Sequence, residues 1–149
     1  MKLPIFLGAL LLSASPAVAD DYLYLRCEAS VDLVNTNSAT SKITEDRTID
    51  DIAILKVDFK MKTILDSRSE GPLNVSIQDK MLSIPQRIDN KELKLDDIGK
   101  IKLTPPYTLS GRGTAIYKSK NQTSTYSYEG PCKEIDASVF EEALKESEI

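Results

Sequence analysis

The sequence predicts a mainly β domain: an antiparallel up-and-down β-barrel of seven to nine short strands, with a β-sandwich as the alternative, ending in a short C-terminal α-helix. Three observations carry this expectation. Between Leu23 and Tyr128 the apolar residues recur every second position in short runs, the pattern of strands with one dry face and one wet face. Turn-forming residues separate the runs at fairly even spacing, and antiparallel strands on short connections build barrels and sandwiches. The chain's 2 cysteines, Cys27 and Cys132, fall in the first run and just after the last. A bond between them brings the two edges of the sheet together, which favours a closed barrel.

The first residues are read as a leader rather than as fold. Lys2 supplies a positive start, Leu3 to Leu12 is apolar, and Ala17-Val18-Ala19 is a small-x-small cleavage signal. Residues 1–19 are therefore expected to be a cleaved signal peptide and residues 20–149 one barrel-like domain, exported to the periplasm or secreted. The apolar run is about half the length of a membrane-spanning helix, and no other stretch is apolar enough to span, so no transmembrane segment is expected in the mature chain.

The first strand is Leu23–Val34, with Leu23, Leu25, Cys27, Ala29, Val31 and Leu33 on its dry side. Asn35 to Asp50, rich in Asn, Thr, Ser and Asp, reads as a long turn carrying an edge strand at Lys42–Thr48. Ile52–Asp58 is a strand, Phe59–Lys62 a turn, and Thr63–Asp66 the returning strand. A single strand running on to Leu65 keeps the alternation too, but at more than about 40 Å it is long for a domain of this size. Ser67–Pro72 is a loop. Leu73–Gln78 and Met81–Ile84 form a hairpin across Asp79-Lys80. A short strand follows Asn90, Gly99 breaks it, and another occupies Lys100–Thr104. After Pro105-Pro106 a long strand runs Thr108–Lys118, with Gly111 and Gly113 on one face marking a bend or a close approach of neighbouring backbone. A turn near Asn121 leads to a last strand at Ser124–Tyr128, which places Tyr117 opposite Tyr126 and ends at Gly130-Pro131. Residues 137–146 form the helix, capped by Asp136 or by Ser138 with Glu141, with Val139, Phe140, Ala143 and Leu144 as its apolar stripe.

Composition excludes more chemistry than it suggests. The chain carries 19 Lys and Arg against 23 Asp and Glu, a formal net charge of −4 that loss of Lys2 makes one unit more negative. Mild acidity with no basic run argues against a nucleic-acid partner. With His at 0, Ser-His-Asp and Cys-His nucleophile systems are absent, and so are most zinc sites. No phosphate-cradling glycine loop or dinucleotide fingerprint occurs. No catalytic, cofactor-binding or metal-binding residues are assigned and no cofactor is expected. In an exported chain the cysteines form a Cys27–Cys132 disulfide, whose closure entropy over about 100 residues corresponds to about 4–5 kcal/mol. Free thiols or a metal pair are the alternatives. The acidic doublets Glu45-Asp46, Asp50-Asp51 and Asp96-Asp97 read as solvated turn residues.

Arg112 stands between two glycines and, with Ser110 and Thr114, makes a polar patch suited to an anion or a partner carboxylate. Tyr117, Tyr126 and Tyr128, with Tyr107, can line a binding surface or close a barrel rim. Arg112, Tyr117, Tyr126 and Tyr128 are thus the candidate binding residues.

The motifs L-Y-L-R-C, L-K-V-D-F followed by K-T-I-L, V-S-I-Q-D, L-S-G-R-G-T, Y-E-G-P-C and the tail D-A-S-V-F-E-x-A-L run through most of the mature chain. In these the sequence resembles small exported bacterial proteins of unknown function, of the kind found in marine cyanobacteria. At the level of fold, a barrel closed by a first-to-last-strand disulfide is similar to calycin-like periplasmic barrels such as lysozyme inhibitors, an analogy that implies no catalytic residues. The sequence thus points to a non-enzymatic module that binds an envelope protein or a small ligand. The alternatives are a structural or assembly component of the envelope and a His-independent carboxylate enzyme.

Overall fold

Alternation along the chain is realised as nine strands in a computed structural model that describes residues 21–148; the leader expected at residues 1–19 lies outside the described residues. The strands are β1 (Tyr22–Asn37), β2 (Ile43–Asp58), β3 (Thr63–Asp66), β4 (Leu73–Asn74), β5 (Ser76–Gln78), β6 (Met81–Asp89), β7 (Leu93–Lys102), β8 (Thr108–Tyr117) and β9 (Gln122–Glu134), followed by helix α1 (Ala137–Ser147). Every pairing is antiparallel, and the order is β4-β3-β2-β1-β9-β8-β7-β6-β5. The two ends of that order, β4 and β5, are separated in the chain by Val75 alone. One extended segment therefore pairs with β3 through its first part and with β6 through its second. The sheet curls into a nearly closed up-and-down barrel, and the sandwich is set aside.

The inward faces pack a dry core at one end, the base. Leu25, Val57, Leu82 and Ile101 are wholly buried there, with Leu55, Ile64, Val75 and Leu109 around them. Cys27 and Cys132 are direct cross-strand partners in that core, bonded to each other with Cα atoms 4.0 Å apart. Burial of this kind is worth about 1.5–3 kcal/mol per large aliphatic side chain.

Four expectations need correction. Asn35 to Asp50 is not a long turn: β1 and β2 form one hairpin in register from Tyr22 opposite Asp58 to Asn35 opposite Glu45. Its polar half is held by cross-strand side chains, Thr48 Oγ1 donating to Asp32 at 2.7 Å and Asn35 Nδ2 to Glu45 at 3.1 Å. The turn itself is confined to a few residues, where Asn37 Oδ1 accepts the N–H groups of Ala39 and Thr40. Gly99 does not break its strand, because β7 needs a residue without Cβ there: the Tyr128 hydroxyl lies 2.8 Å from where that atom would stand. Gly130-Pro131 does not end β9, which runs on through Cys132 to Glu134. Gly130 lies so close to the backbone of Glu28 and Ala29 that only glycine fits. Finally, the β8–β9 turn places Asn121 in the left-handed region and sets Tyr117 opposite Gln122, so Tyr126 faces Gly113 rather than Tyr117.

Helix α1 lies outside the barrel against β2. Asp136 is its N-cap residue, although the side chain makes no capping hydrogen bond. Phe140 is 1% exposed and its ring sits 5.7 Å from that of Tyr24, while Val139, expected in the same stripe, is exposed. Ser147 Oγ donates to the Ser67 carbonyl at 2.5 Å, tying the last turn to the loop after β3.

Two outcomes are expected. Replacing both cysteines by alanine removes a link between residues 105 apart and lowers the free energy of unfolding by about 2–4 kcal/mol in urea titration; no change in the midpoint would sink the idea that the seam is cross-linked. Phe140→Ala costs about 3–5 kcal/mol, read by the same titration. A loss below about 1 kcal/mol would show that the helix is not part of the folded unit.

Candidate functional site

Above the dry base the inward positions turn polar. On β2 the inward series continues from Val57, Leu55 and Ala53 to Asp51, then to Arg47 and Glu45 toward the mouth. On β7 it runs Ile101, Gly99, Asp97, and on β9 Cys132, Gly130, Tyr128, Tyr126. A cavity of about 340 Å³ lies between these levels. Its walls are Ala29, Val31, Ala53, Leu55, Ile64, Leu73, Ile84 and Leu109 together with Asp51, Asp66, Arg68, Ser69, Gln86 and the rings of Tyr126 and Tyr128.

Two polar clusters line or back this space. In the first, Arg68, half-exposed on the loop after β3, is held at 2.9 Å by Asp51 and 3.0 Å by Asp66, with further contacts from Nε to Asp66 and Nη2 to Asp51. Hydrogen bonds to Asp66 and then to Asp51 raise the guanidinium's pKa above its ordinary value, so it stays charged. In the second, Tyr126 donates to Asp97 Oδ2 at 2.5 Å and Tyr128 to Asp97 Oδ1 at 3.3 Å. The two rings lie nearly parallel, 19° apart in plane with centroids 6.3 Å apart. This arrangement depends on β8. The Tyr128 ring crosses Gly111 and the Tyr126 phenol end crosses Gly113, both closer than any Cβ would allow. The glycines let the rings lie down across β8 so that their hydroxyls reach β7. Burial, and then the bonds to Asp97, push both phenols well above their ordinary pKa of 10.0, so they remain neutral donors.

Nearer the mouth a third network continues the polar lining. Ser124 Oγ donates to Asn35 at 2.5 Å, Asn35 to Glu45, and Arg47 Nε pairs with Glu45 at 3.0 Å. Tyr117 stands at this level, on the same inward register as Gly111 and Gly113.

The four residues singled out by sequence are divided between the two faces of the wall. Tyr126 and Tyr128 come together inside, and Tyr117 is above them. Arg112 points outward from β8, opposite Ser127 and Ile98, in a shallow outer groove with Ser30, Asp32, Lys100, Ser110 and Glu129. Tyr107 lies outside the cavity, near the base, where its hydroxyl donates to Glu134 at 3.4 Å. The acidic doublets are not turn residues: Asp50-Asp51 is within β2 and Asp96-Asp97 within β7, and each sends one carboxylate in and one out. The signal was present as parity. Asp51 shares the alternation of Ala53, Leu55 and Val57, and Asp97 that of Leu95, Gly99 and Ile101. Arg68 sits in a loop without periodicity and had no such signal.

Among the described residues no group of three His, Cys, Asp or Glu side chains is placed to hold a metal, and no helix is long and apolar enough to cross a membrane. The chain matches no family model, no curated protein and no solved structure.

The raised phenol pKa values have a defined consequence for stability. A neutral group whose folded pKa lies above its unfolded value contributes stability that is intact below pH 10.0 and is lost as the pH rises beyond it. In an alkaline titration followed by phenolate absorbance, two of the chain's 6 tyrosines are expected to ionise only as the barrel unfolds. The Tyr126→Phe/Tyr128→Phe variant lacks that late step. Early ionisation of all tyrosines in folded protein would refute the Asp97 arrangement.

Proposed function

We propose that this protein is a non-enzymatic binding module of the cell envelope that holds a small molecule inside its barrel. The observation that supports the reading is the cavity itself, apolar on most of its wall and polar at a few fixed points. That is the composition of small-molecule sites, whose volumes begin at about 300 Å³. The polar groups are pre-arranged rather than mobile: Arg68 is clamped by two carboxylates and the tyrosines by one. Fixed groups of this kind orient a ligand without an ordering cost at binding. An exported location fits the leader expected at residues 1–19 together with the disulfide, which belongs to an oxidising compartment.

The tyrosines and carboxylates engage each other, with the phenols neutral, and this favours binding over proton transfer. Arg112 and the outer groove carry charges of both signs in the open and are assigned no part.

Native mass spectrometry of the mature protein, purified from its own cell envelope, tests the reading. A single extra mass of small-molecule size is expected on the folded protein. It is expected to vanish in Val31→Phe and in Ala53→Leu, each of which fills the cavity while leaving the far-ultraviolet spectrum unchanged. A wild-type protein that is uniformly empty would overturn the proposal.

A further inference from the structure

We propose that the ligand taken by this cavity is a small organic cation, an amine carried on an apolar body, with its ammonium on the side of Asp51 and Asp66 and its body against the tyrosine rings and the apolar wall. The inference rests on the binding reading above and specifies its chemistry.

Charge is the first ground. Asp51 and Asp66 line the space, Asp97 stands directly behind the two tyrosine hydroxyls, and Arg68 is the one cation among the lining residues. With Asp97 counted, three carboxylates stand around this space against one guanidinium, so an anionic guest meets net repulsion and a cationic one net attraction.

The way Arg68 is held is the second ground. Its nitrogens already occupy one side of the Asp51 and Asp66 carboxylates, at 2.9 and 3.0 Å. The pair therefore accepts an organic cation as built, and each ionised carboxylate has about four lone-pair sites, more than Arg68 uses. A second N–H donor can share them.

The third ground is the aromatic wall. Because Gly111 and Gly113 let the rings lie flat and Asp97 ties down their hydroxyls, Tyr126 and Tyr128 offer the cavity π-surface rather than a free donor. The negative face of an aromatic ring attracts cations, including the positively polarised CH₂ groups beside an ammonium. Both phenol hydroxyls and four of the five Arg68 N–H groups are already engaged by carboxylates, so a free carboxylate or phosphate meets fewer strong donors here than a cation meets acceptors.

Isothermal titration of the mature protein at low salt with three probes of equal length, hexylammonium, 1-hexanol and hexanoate, tests this. Hexylammonium is expected to bind at least about tenfold more tightly than either other probe. Asp97→Asn keeps an acceptor for the tyrosines and removes the charge. It is expected to weaken the amine about fivefold and leave hexanol unchanged, and Val31→Phe is expected to abolish amine binding. Equal or tighter binding of hexanol or hexanoate overturns the cation assignment and leaves the small-molecule reading standing. Amine binding that persists in Val31→Phe places it elsewhere and also overturns the assignment. If none of the three binds, the assignment falls, and the native mass spectrum alone decides whether the cavity-binding reading falls with it.

Discussion

The seam between β1 and β9 is the constraint on which the rest of the structure depends. All other pairings join strands adjacent in sequence, and a meander made of those alone is an open sheet with one greasy face. Closing it requires the first and last strands to meet along nearly their whole length, from Leu25 opposite Glu134 to Asn37 opposite Gln122. Contacts so distant in sequence carry the largest loop-closure cost in the molecule. The seam answers it in two ways. Cys27 and Cys132 bond directly across it, and Gly130 lets the two backbones approach where any side chain would hold them apart. The dry base forms around this point, since Cys27 and Cys132 belong to the same buried cluster as Leu25, Leu55 and Leu109.

Once the seam is fixed, strand parity dictates the interior at every level. The register that puts Cys132 beside Cys27 also turns Tyr128 and Tyr126 inward, opposite Val31 and Leu33 on one side and Gly111 and Gly113 on the other. The glycines of β8 let the two tyrosine rings lie along the wall. Their hydroxyls then fall two strands away, on β7, where Asp97 receives both. Four strands thus contribute to one arrangement in which each buried polar atom has a partner; among the described residues no buried side-chain nitrogen or oxygen is left without one.

How legible this was in sequence follows from the same parity. Where apolar residues mark the inward face, as at Leu23–Leu33 and Ile52–Asp58, the alternation shows the strand. Where the interior turns polar, inward and outward residues look alike, and the upper half of the β1–β2 hairpin reads as loop. The objection that a strand above about 40 Å is too long was also misplaced. It favoured the turn after Asp58, which exists, yet β1 and β2 are each 16 residues, about 50 Å. Long strands fit a small barrel because they coil steeply round it. The paired glycines at 111 and 113 correctly signalled a close approach, but of tyrosine rings and not of backbone. Which carboxylates met those rings depended on registers that turn residues alone did not specify. Asn121 in its left-handed conformation shifted the β8–β9 pairing away from the expected Tyr117–Tyr126 contact.

The incompleteness of the wall belongs to the same logic. β3 pairs with β2 only over Leu55–Asp58, and β5 with β6 only over Met81–Ser83. Above those rungs β2 and β6 each have a neighbour on one side, and the gap is spanned by the loop after β3, whose Ser67 N–H bonds the Ile54 carbonyl and whose Arg68 reaches Asp51. Bare edges invite pairing with other chains, and here they carry Asp46, Arg47, Asp50, Arg87 and Asp89, charges that oppose such pairing. Extending the β3–β4 arm by a few residues would complete the ladder and remove the edges. It would also put sheet where the loop now carries Arg68 to Asp51 and Asp66. The short arm thus gives up sheet hydrogen bonds along this side of the cavity, and an ion-paired loop takes their place, with Ser67 bonded to β2 and Arg68 bridging Asp51 and Asp66.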